Sequence, residues 1–349
     1  MPKPISLMKK MFLLALLPAL LWSCSHKAER VERAFYFWKS NDYQLSDQEN
    51  KLMDTLQVKK IYVKFFEVEK NDLVGYVPIA KTDLHLYSND NITSLIPTVY
   101  ITNEVFKKAK PSDMDALADN VNFLIDKYTK DKFHNVANVD EYQMDCDWTL
   151  STKDSYFYFL KKLKQVSGKK ISCTLRLYPY KYPDKMGVPP VDKAMLMCYN
   201  LLNPLQEREK NSILDINELH AYLNSGKKYP LHLDVALPVY SWMQVYQNDH
   251  FAQVVYTNTK DIKTILTPNK PLWYTVKKDT VINDFYIRSG DKVKIEEQTA
   301  EQLNKAVAII KKYVPLDRDI TVSLFHLDQE QLSRYSHEEI AAFYTGFTK

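Results

Sequence analysis

The sequence predicts an α/β fold, a (β/α)8 TIM barrel with a small α+β insertion between strands 7 and 8. Eight strand-like segments alternate with segments of helical periodicity, which favours parallel pairing, and eight such strands can close into a barrel. The fourth segment also carries acidic and apolar residues at alternate positions. A strand in a barrel has this pattern when one face packs under helices and the other lines the interior.

The predicted elements follow in order along the chain. The strands are residues 34–39, 59–69, 95–102, 141–149, 170–178, 193–201, 231–240 and 321–328. Helices are predicted at residues 47–56, 114–128, 156–166, 216–224 and 301–313, for instance because apolar side chains recur every three or four residues in 114–128. Residues 243–300 form the predicted insertion, with a helical stretch around 261–266 and alternating segments at 272–277 and 291–296. The chain of 349 residues is long enough for one barrel.

The N-terminus is typical of an exported protein. Lys9 and Lys10 precede an apolar run, residues 11–22, that is too short to span a bilayer. This run ends at Leu21-Trp22-Ser23-Cys24, which resembles the lipobox of bacterial lipoproteins, where the cysteine becomes the lipidated first residue. A plain secretory signal cleaved nearby is the alternative.

The domain boundaries follow from this N-terminal pattern. We expect a lipoprotein signal peptide at 1–23, a tether at 24–33 and the barrel at 34–349. A lipid on Cys24 would hold the protein at the cell envelope, on the periplasmic or the surface side of the outer membrane.

The fourth strand contains the main candidate site. In an extended strand Asp145 and Asp147 share one face, while Cys146 and Trp148 point toward the helices. The two carboxylates are about 7 Å apart at their backbones, and at an effective dielectric of about 20 they repel by roughly 2.4 kcal/mol. This repulsion is enough to raise one pKa by more than a unit. The alternative is that the pair only bonds Arg176, Tyr199 and water in a polar interior.

The segment Asp145-Cys146-Asp147-Trp148 resembles the fourth-strand motif of glycoside hydrolase family 18, D-x-x-D-x-D-x-E. That family contains chitinases and endo-N-acetylglucosaminidases. The first Asp of the motif falls on Tyr142, and the terminal Glu, the proton donor of the family, falls on Thr149. Two further segments are similar to family motifs on strands six and seven: Met197-Cys198-Tyr199-Asn200 and Leu237-Pro238-Val239-Tyr240. The family also often inserts an α+β module between strands seven and eight.

The resemblance implies that Asp145, Asp147 and Tyr199 are catalytic if the protein is active. It assigns Asn200 to substrate binding by position. Aromatic rings and one histidine near strand ends are further candidates for contact with a sugar: Trp38, Tyr178, Tyr240, Trp242 and His326. No cofactor and no metal site is predicted.

Three functional hypotheses remain open at this point. The first is a catalytically degenerate carbohydrate binder for a glycan rich in N-acetylhexosamine, because a Thr149 hydroxyl cannot act as a general acid at neutral pH. The second is an active glycoside hydrolase whose acid lies elsewhere, with four candidates near strand ends: Glu67, Glu69, Glu104 and Asp328. The third is a structural or scaffolding lipoprotein built on a barrel.

Three further patterns bear on other interpretations. The net charge of +4 and the lack of a basic stripe interleaved with aromatics make nucleic acid a poor partner. Cys146, Cys173 and Cys198 lie in apolar strands and are expected to be buried free thiols. His232 and Asp234 share one face of the seventh strand, as a polar plug low in the barrel or as an acid–base pair.

Overall fold

The computed structural model describes residues 27–39, 42–86, 92–133, 137–256 and 262–348. The predicted signal peptide and Cys24 lie outside the described residues. Across the described ranges, no helix is long and apolar enough to cross a membrane.

The core of the molecule is a closed barrel of eight parallel strands, which confirms the predicted fold class. Closure is direct, because the first strand pairs with both the second and the eighth. The strands are β1 (Arg30–Phe37), β2 (Lys60–Asn71), β3 (Ser94–Ile101), β4 (Glu141–Asp145), β5 (Lys170–Leu175), β6 (Lys193–Met197), β7 (His232–Pro238) and β8 (Asp319–Phe325). The strand Gly75–Ile79 extends the sheet by pairing antiparallel to β2, and short strands Asp42–Gln44 and Asp83–His85 pair outside the barrel.

Helices occupy the connections between the strands. They are α1 (Asp47–Thr55), α2 (Pro111–Tyr128), α3 (Lys153–Ser167), α4 (Leu177–Lys181), α5 (Pro183–Met186), α6 (Ile216–Leu223), α7 (Ala300–Tyr313), α8 (Gln329–Leu332) and α9 (His337–Thr345). Reciprocal capping boxes begin α1, α7 and α9, at Ser46, Thr299 and Ser336. These caps satisfy backbone N–H groups that have no partner within the helix.

The alternation predicted for β4 decides which side chains enter the barrel. Tyr142, Met144 and Trp148 belong to the apolar core between strands and helices, and the Trp148 ring stacks on Tyr156 with centroids 5.5 Å apart. On the opposite face, Gln143 lies inside the barrel, where its Oε1 accepts a hydrogen bond of 2.6 Å from the Tyr36 hydroxyl. The three predicted buried cysteines are free and buried.

The insertion between β7 and β8 is built around a five-stranded antiparallel sheet. Its strands are Trp242–Gln247, His250–Val255, Leu266–Lys270, Trp273–Val276 and Lys292–Glu296. One face of this sheet supplies a separate apolar core that includes Met243, Val245, Val293 and Ile295. A two-stranded ribbon, Thr280–Ile282 with Phe285–Ile287, completes the module.

Several element boundaries differ from the prediction. β1 begins at Arg30, so residues 30–33 belong to the barrel instead of the predicted tether. β5 ends at Leu175 because helix α4 begins two residues later and includes Tyr178. Leu266, predicted to end a helical stretch, begins a strand of the insertion.

Candidate functional site

A polar cavity of about 250 Å³ opens at the C-terminal ends of the barrel strands. Five of the residues predicted for the site line it: Trp38, Asp145, Asp147, Tyr199 and Asn200. Five more come from neighbouring strand ends: Glu67, Tyr100, Arg176, Met197 and Phe325. The structure thus places side chains from most barrel strands around one opening, where barrels of this type hold ligands.

Asp145 is the last residue of β4 and lies partly buried at the floor of the cavity. Burial and the neighbouring charge of Asp147 raise the pKa of its carboxyl group to about 6. The Thr174 hydroxyl from β5 donates a hydrogen bond of 2.6 Å to Asp145 Oδ1 and opposes part of that rise. Asp145 therefore changes its protonation near neutral pH.

Asp147 lies two residues beyond the end of β4, at the rim of the cavity. Its side chain is 57% exposed, and Oδ1 is 3.3 Å from Arg176 Nε. Arg176 also donates a hydrogen bond of 3.1 Å to the backbone carbonyl of Asn200. The Arg176 guanidinium therefore connects the segment after β4 with the segment after β6.

Aromatic and hydrogen-bonded side chains surround the part of the cavity at the ends of β6 and β8. Tyr199 is buried with its ring 5.3 Å from Phe325 and 6.2 Å from Tyr240, measured between centroids. The Tyr240 hydroxyl donates a hydrogen bond of 2.5 Å to Asn200 Oδ1. Burial raises the pKa of the Tyr199 hydroxyl well above its usual range, so that hydroxyl stays protonated and can donate.

Thr149 is not directed into this cavity. It lies at the rim in an exposed turn, where its hydroxyl is 3.0 Å from Ser151 Oγ and 3.2 Å from Thr152 Oγ1. It lines a second, more apolar groove of about 570 Å³, which shares only Asp147 and Arg176 with the first cavity. Tyr178 lines this groove from α4.

Glu67 is the only one of the four alternative acids that lines the cavity, since the other three lie elsewhere in the described structure. A β-bulge after Lys64 places both Phe65 and Phe66 in the outer core, which turns Glu67 toward the mouth. Its carboxylate is held by Lys64 Nζ at 2.6 Å.

The other three acids have different environments. Glu69 is exposed on β2, and Glu104 pairs with Lys107 at 2.5 Å. Asp328 caps α8 and lies 3.0 Å from the ammonium group of Lys39.

The two remaining predicted contacts lie beside the cavity. Trp242 packs against Tyr240, with ring centroids 5.8 Å apart, where the insertion leaves the barrel. The His326 ring does not line the cavity. Burial lowers the pKa of this imidazole to about 4.

Tyr100, from β3, was not among the predicted site residues. Its ring lines the cavity, and burial together with Asp145 and Asp147 raises its pKa to about 12. Alternation along β3 could have identified Tyr100 as a site residue, because it follows Thr98 on the inner face of the strand.

His232 and Asp234 lie at the other end of the barrel. Asp234 pairs with Lys193 at 2.9 Å, and Lys193 pairs with Glu141 at 2.9 Å. His232 lies between Asp234 and Asp317, at 3.2 and 2.9 Å. These contacts fit the predicted polar plug, and they place the pair away from the mouth.

Comparison with known proteins identifies the fold. No protein-family model matches the chain, and no curated protein matches its sequence. Among solved structures, the spore cortex-lytic enzyme SleL of Bacillus megaterium superposes with a TM-score of 0.53 at 14% identity, over 91% of this chain and 74% of that one.

Two chitinase structures superpose as well. The group IV chitinase of Ostrinia furnacalis gives a TM-score of 0.51 at 11% identity, over 91% of this chain and 99% of that one. The multi-modular chitinase ChiW of a Paenibacillus species gives 0.51 at 12% identity, over 92% of this chain and 33% of that one. The chain therefore shares the (β/α)8 barrel fold of these enzymes.

Proposed function

We propose that this protein binds a glycan rich in N-acetylhexosamine in the mouth cavity and hydrolyses it very slowly or not at all. One observation carries the proposal: Asp145, Asp147, Tyr199 and Asn200 surround a single cavity, while Thr149 occupies the position of the proton donor. The likeness to chitinases supports the choice of ligand.

The chemistry of the cavity suits an N-acetyl sugar. The carboxyl oxygens of Asp145 and Asp147 can accept hydrogen bonds from an amide N–H and from hydroxyls, and the Tyr199 hydroxyl can donate to a carbonyl. The Trp38 ring lies in the lining, 5.6 Å from that of Phe325 between centroids, and offers an apolar surface to the C–H face of a sugar. Ligand sites commonly combine apolar walls with a few directed polar groups in this way.

The low activity that we propose rests on the motif position of the family's proton donor, where this chain has Thr149, whose hydroxyl cannot act as a general acid at neutral pH. Glu67 is the one alternative carboxyl group in the lining, and it forms an ion pair of 2.6 Å with Lys64 Nζ. General acid catalysis commonly contributes 10²- to 10⁴-fold, so its loss would leave little hydrolysis of an unactivated glycoside.

Glycan binding is tested by thermal unfolding of the protein with chitooligosaccharides. Ligand at about 100 times Kd should stabilise the fold by about 2.7 kcal/mol, which raises the Tm by a few degrees. Asp147→Asn should weaken this shift, because it removes a charged acceptor at an exposed rim position. Asp119→Asn, an exposed acid on α2, is the matched control. The absence of a shift with every glycan would favour a scaffolding role, and efficient cleavage of natural glycans by the wild type would contradict the degenerate site.

We further propose that the protein is anchored at the cell envelope by a lipid on Cys24. The lipobox ending at Cys24 supports this anchor, and β1 begins only six residues later. Cys24→Ser should move the protein from the membrane fraction to the soluble fraction and abolish labelling with a clickable fatty acid. Labelling that persists in Cys24→Ser would refute the anchor.

A further inference from the structure

The insertion meets the barrel through a completely buried carboxylate, Glu296, on the strand Lys292–Glu296. The indole N–H of Trp242 donates a hydrogen bond to Glu296 Oε2. The backbone N–H and the hydroxyl of Ser212 donate to the same carboxylate at 2.9 and 2.7 Å, and the Gln244 amide donates at 3.2 Å. The carboxylate thus joins the sheet of the insertion to the loop that follows β6.

A completely buried ammonium group, Lys294, lies beside this carboxylate. Its Nζ is 2.6 Å from Glu296 Oε1 and donates hydrogen bonds of 2.8 Å to the backbone carbonyls of Glu207 and Lys210. Both members of the ion pair therefore bind the same loop, which follows β6.

Both ends of this network reach the mouth cavity. On one side, Trp242 packs against Tyr240, whose hydroxyl bonds Asn200. On the other side, the backbone N–H of Asn200 donates a hydrogen bond of 2.8 Å to the carbonyl of Ile213, and Glu296 holds the residue just before Ile213. Glu296 thus bonds Trp242 directly and is connected with Asn200 through Ser212 and Ile213, without lining the cavity.

Stability alone does not account for an ion pair at this place. Apolar residues of similar volume generally stabilise a fold as well as a buried ion pair does, or better. A buried carboxylate with several donors, however, fixes the orientation of each donor, because any rotation would leave a polar group without a partner. For an indole, one fixed N–H direction constrains the plane of the whole ring.

We propose that Glu296 is a positioning residue that fixes the Trp242 ring and the loop behind Asn200 in the arrangement required for glycan binding. The insertion then acts as a preorganised wall of the site. The effect on affinity rests on the proposed glycan binding, whereas the effect on the Trp242 ring does not.

The test compares Glu296→Gln with Glu297→Gln, which alters the next carboxyl group in the chain. Glu297 pairs with Lys263 at 2.5 Å in a partly exposed position. In spectra of protein labelled with ¹⁵N-tryptophan, the indole resonance of Trp242, assigned with Trp242→Phe, should move in Glu296→Gln and stay in place in Glu297→Gln. The Kd for chitooligosaccharides should rise about five- to tenfold in Glu296→Gln only, as expected for a misplaced aromatic contact.

The double variant Lys294→Met/Glu296→Gln separates positioning from stability. It removes both buried charges, so its Tm should recover relative to Glu296→Gln while the affinity stays low. Recovery of the affinity together with the Tm would overturn the proposal, as would an unchanged Trp242 resonance in Glu296→Gln. If the wild type binds no glycan, the proposed function fails, and the Trp242 resonance alone then decides the role of Glu296.

Discussion

At the scale of single residues, the site contains a carboxyl group whose ionised form is destabilised by its surroundings. Asp145 is partly buried beside Asp147, and only the Thr174 hydroxyl and the more distant Arg176 favour its ionised form. Its pKa of about 6 exceeds the ordinary value of 3.8, so the folded protein holds this proton more tightly than the unfolded chain does. The contribution of Asp145 to folding stability should therefore fall as the pH rises from about 4 to 6.

Asp145→Asn tests whether ionisation of Asp145 destabilises the fold. The amide cannot ionise, yet its oxygen still accepts the Thr174 hydrogen bond, so we expect the variant to be more stable than the wild type above pH 6. The gain should be on the order of 1–3 kcal/mol and should vanish near pH 4, where both side chains are neutral. Urea unfolding between pH 4 and pH 8 measures it, with Asp119→Asn as control. A gain that is the same at every pH would show that ionisation of Asp145 is not its cause.

At the scale of elements, two local irregularities shape the mouth. The bulge in β2 turns Glu67 inward beside Lys64. The turn after β4 is closed by the Thr149 backbone N–H, which donates a hydrogen bond of 2.9 Å to Thr152 Oγ1. Thr152 in turn donates to Asn103 at 2.6 Å, which anchors the turn to the connection after β3. Thr149 is therefore held at the rim by its backbone, while its side chain is exposed.

Thr149→Glu should place a carboxyl group on a longer side chain at the rim, close to Asp147, which borders both the groove and the mouth cavity, and so supply a proton donor. Because the backbone of residue 149 is held by contacts that the substitution keeps, we expect hydrolysis of chitooligosaccharides to rise by at least about 10²-fold, measured as release of reducing ends. Ser151→Glu places the same charge in the same turn and serves as control. An equal rise in both variants would show that the position of the carboxyl group is irrelevant.

At the scale of the whole molecule, acidic groups at the two ends of the barrel have pKa values shifted in opposite directions. At the mouth, Asp147 is largely exposed and Asp145 retains its proton to about pH 6. At the N-terminal end, burial opposes the ionisation of Asp234, but the hydrogen bond from His232 and the charge of Lys193 lower its pKa to about 2. Asp234 at the N-terminal end is therefore ionised throughout the neutral range, whereas Asp145 at the mouth changes its protonation at about pH 6.

His232→Gln measures how much His232 contributes to folding stability in the polar plug. The hydrogen bond with Asp234 raises the pKa of His232, so its contribution is complete below about pH 6.5 and is lost as the pH rises through the raised value. The ring is one-third exposed, so we expect a loss of only about 1 kcal/mol at pH 5.5 and much less at pH 9. Urea unfolding at both pH values measures this, with the exposed His250→Gln as control. A larger loss at pH 9 would contradict the assignment.

The sequence was sufficient for those features that depend on a local period. Alternation along β4 predicted that Trp148 packs in the outer core, and the count of strands and helices predicted the closed barrel. The same patterns predicted the insertion, because its alternating segments differ from the rhythm of the barrel. Strand ends were less accurate, as at β1 and β5, since termini depend on capping and on the next element.

Hydrophobic and acidic periodicity by itself determined the barrel, its polar lumen and the presence of Asp145 and Asp147 at its mouth, because each strand must bury one face whatever its neighbours are. Only the tertiary structure decided which side chains those carboxylates contact. The bulge that turns Glu67 inward reverses the alternation with no sign in the residues themselves. The contact of Glu296 with Ser212 joins positions 84 residues apart, and only packing of the insertion against the barrel brings them together.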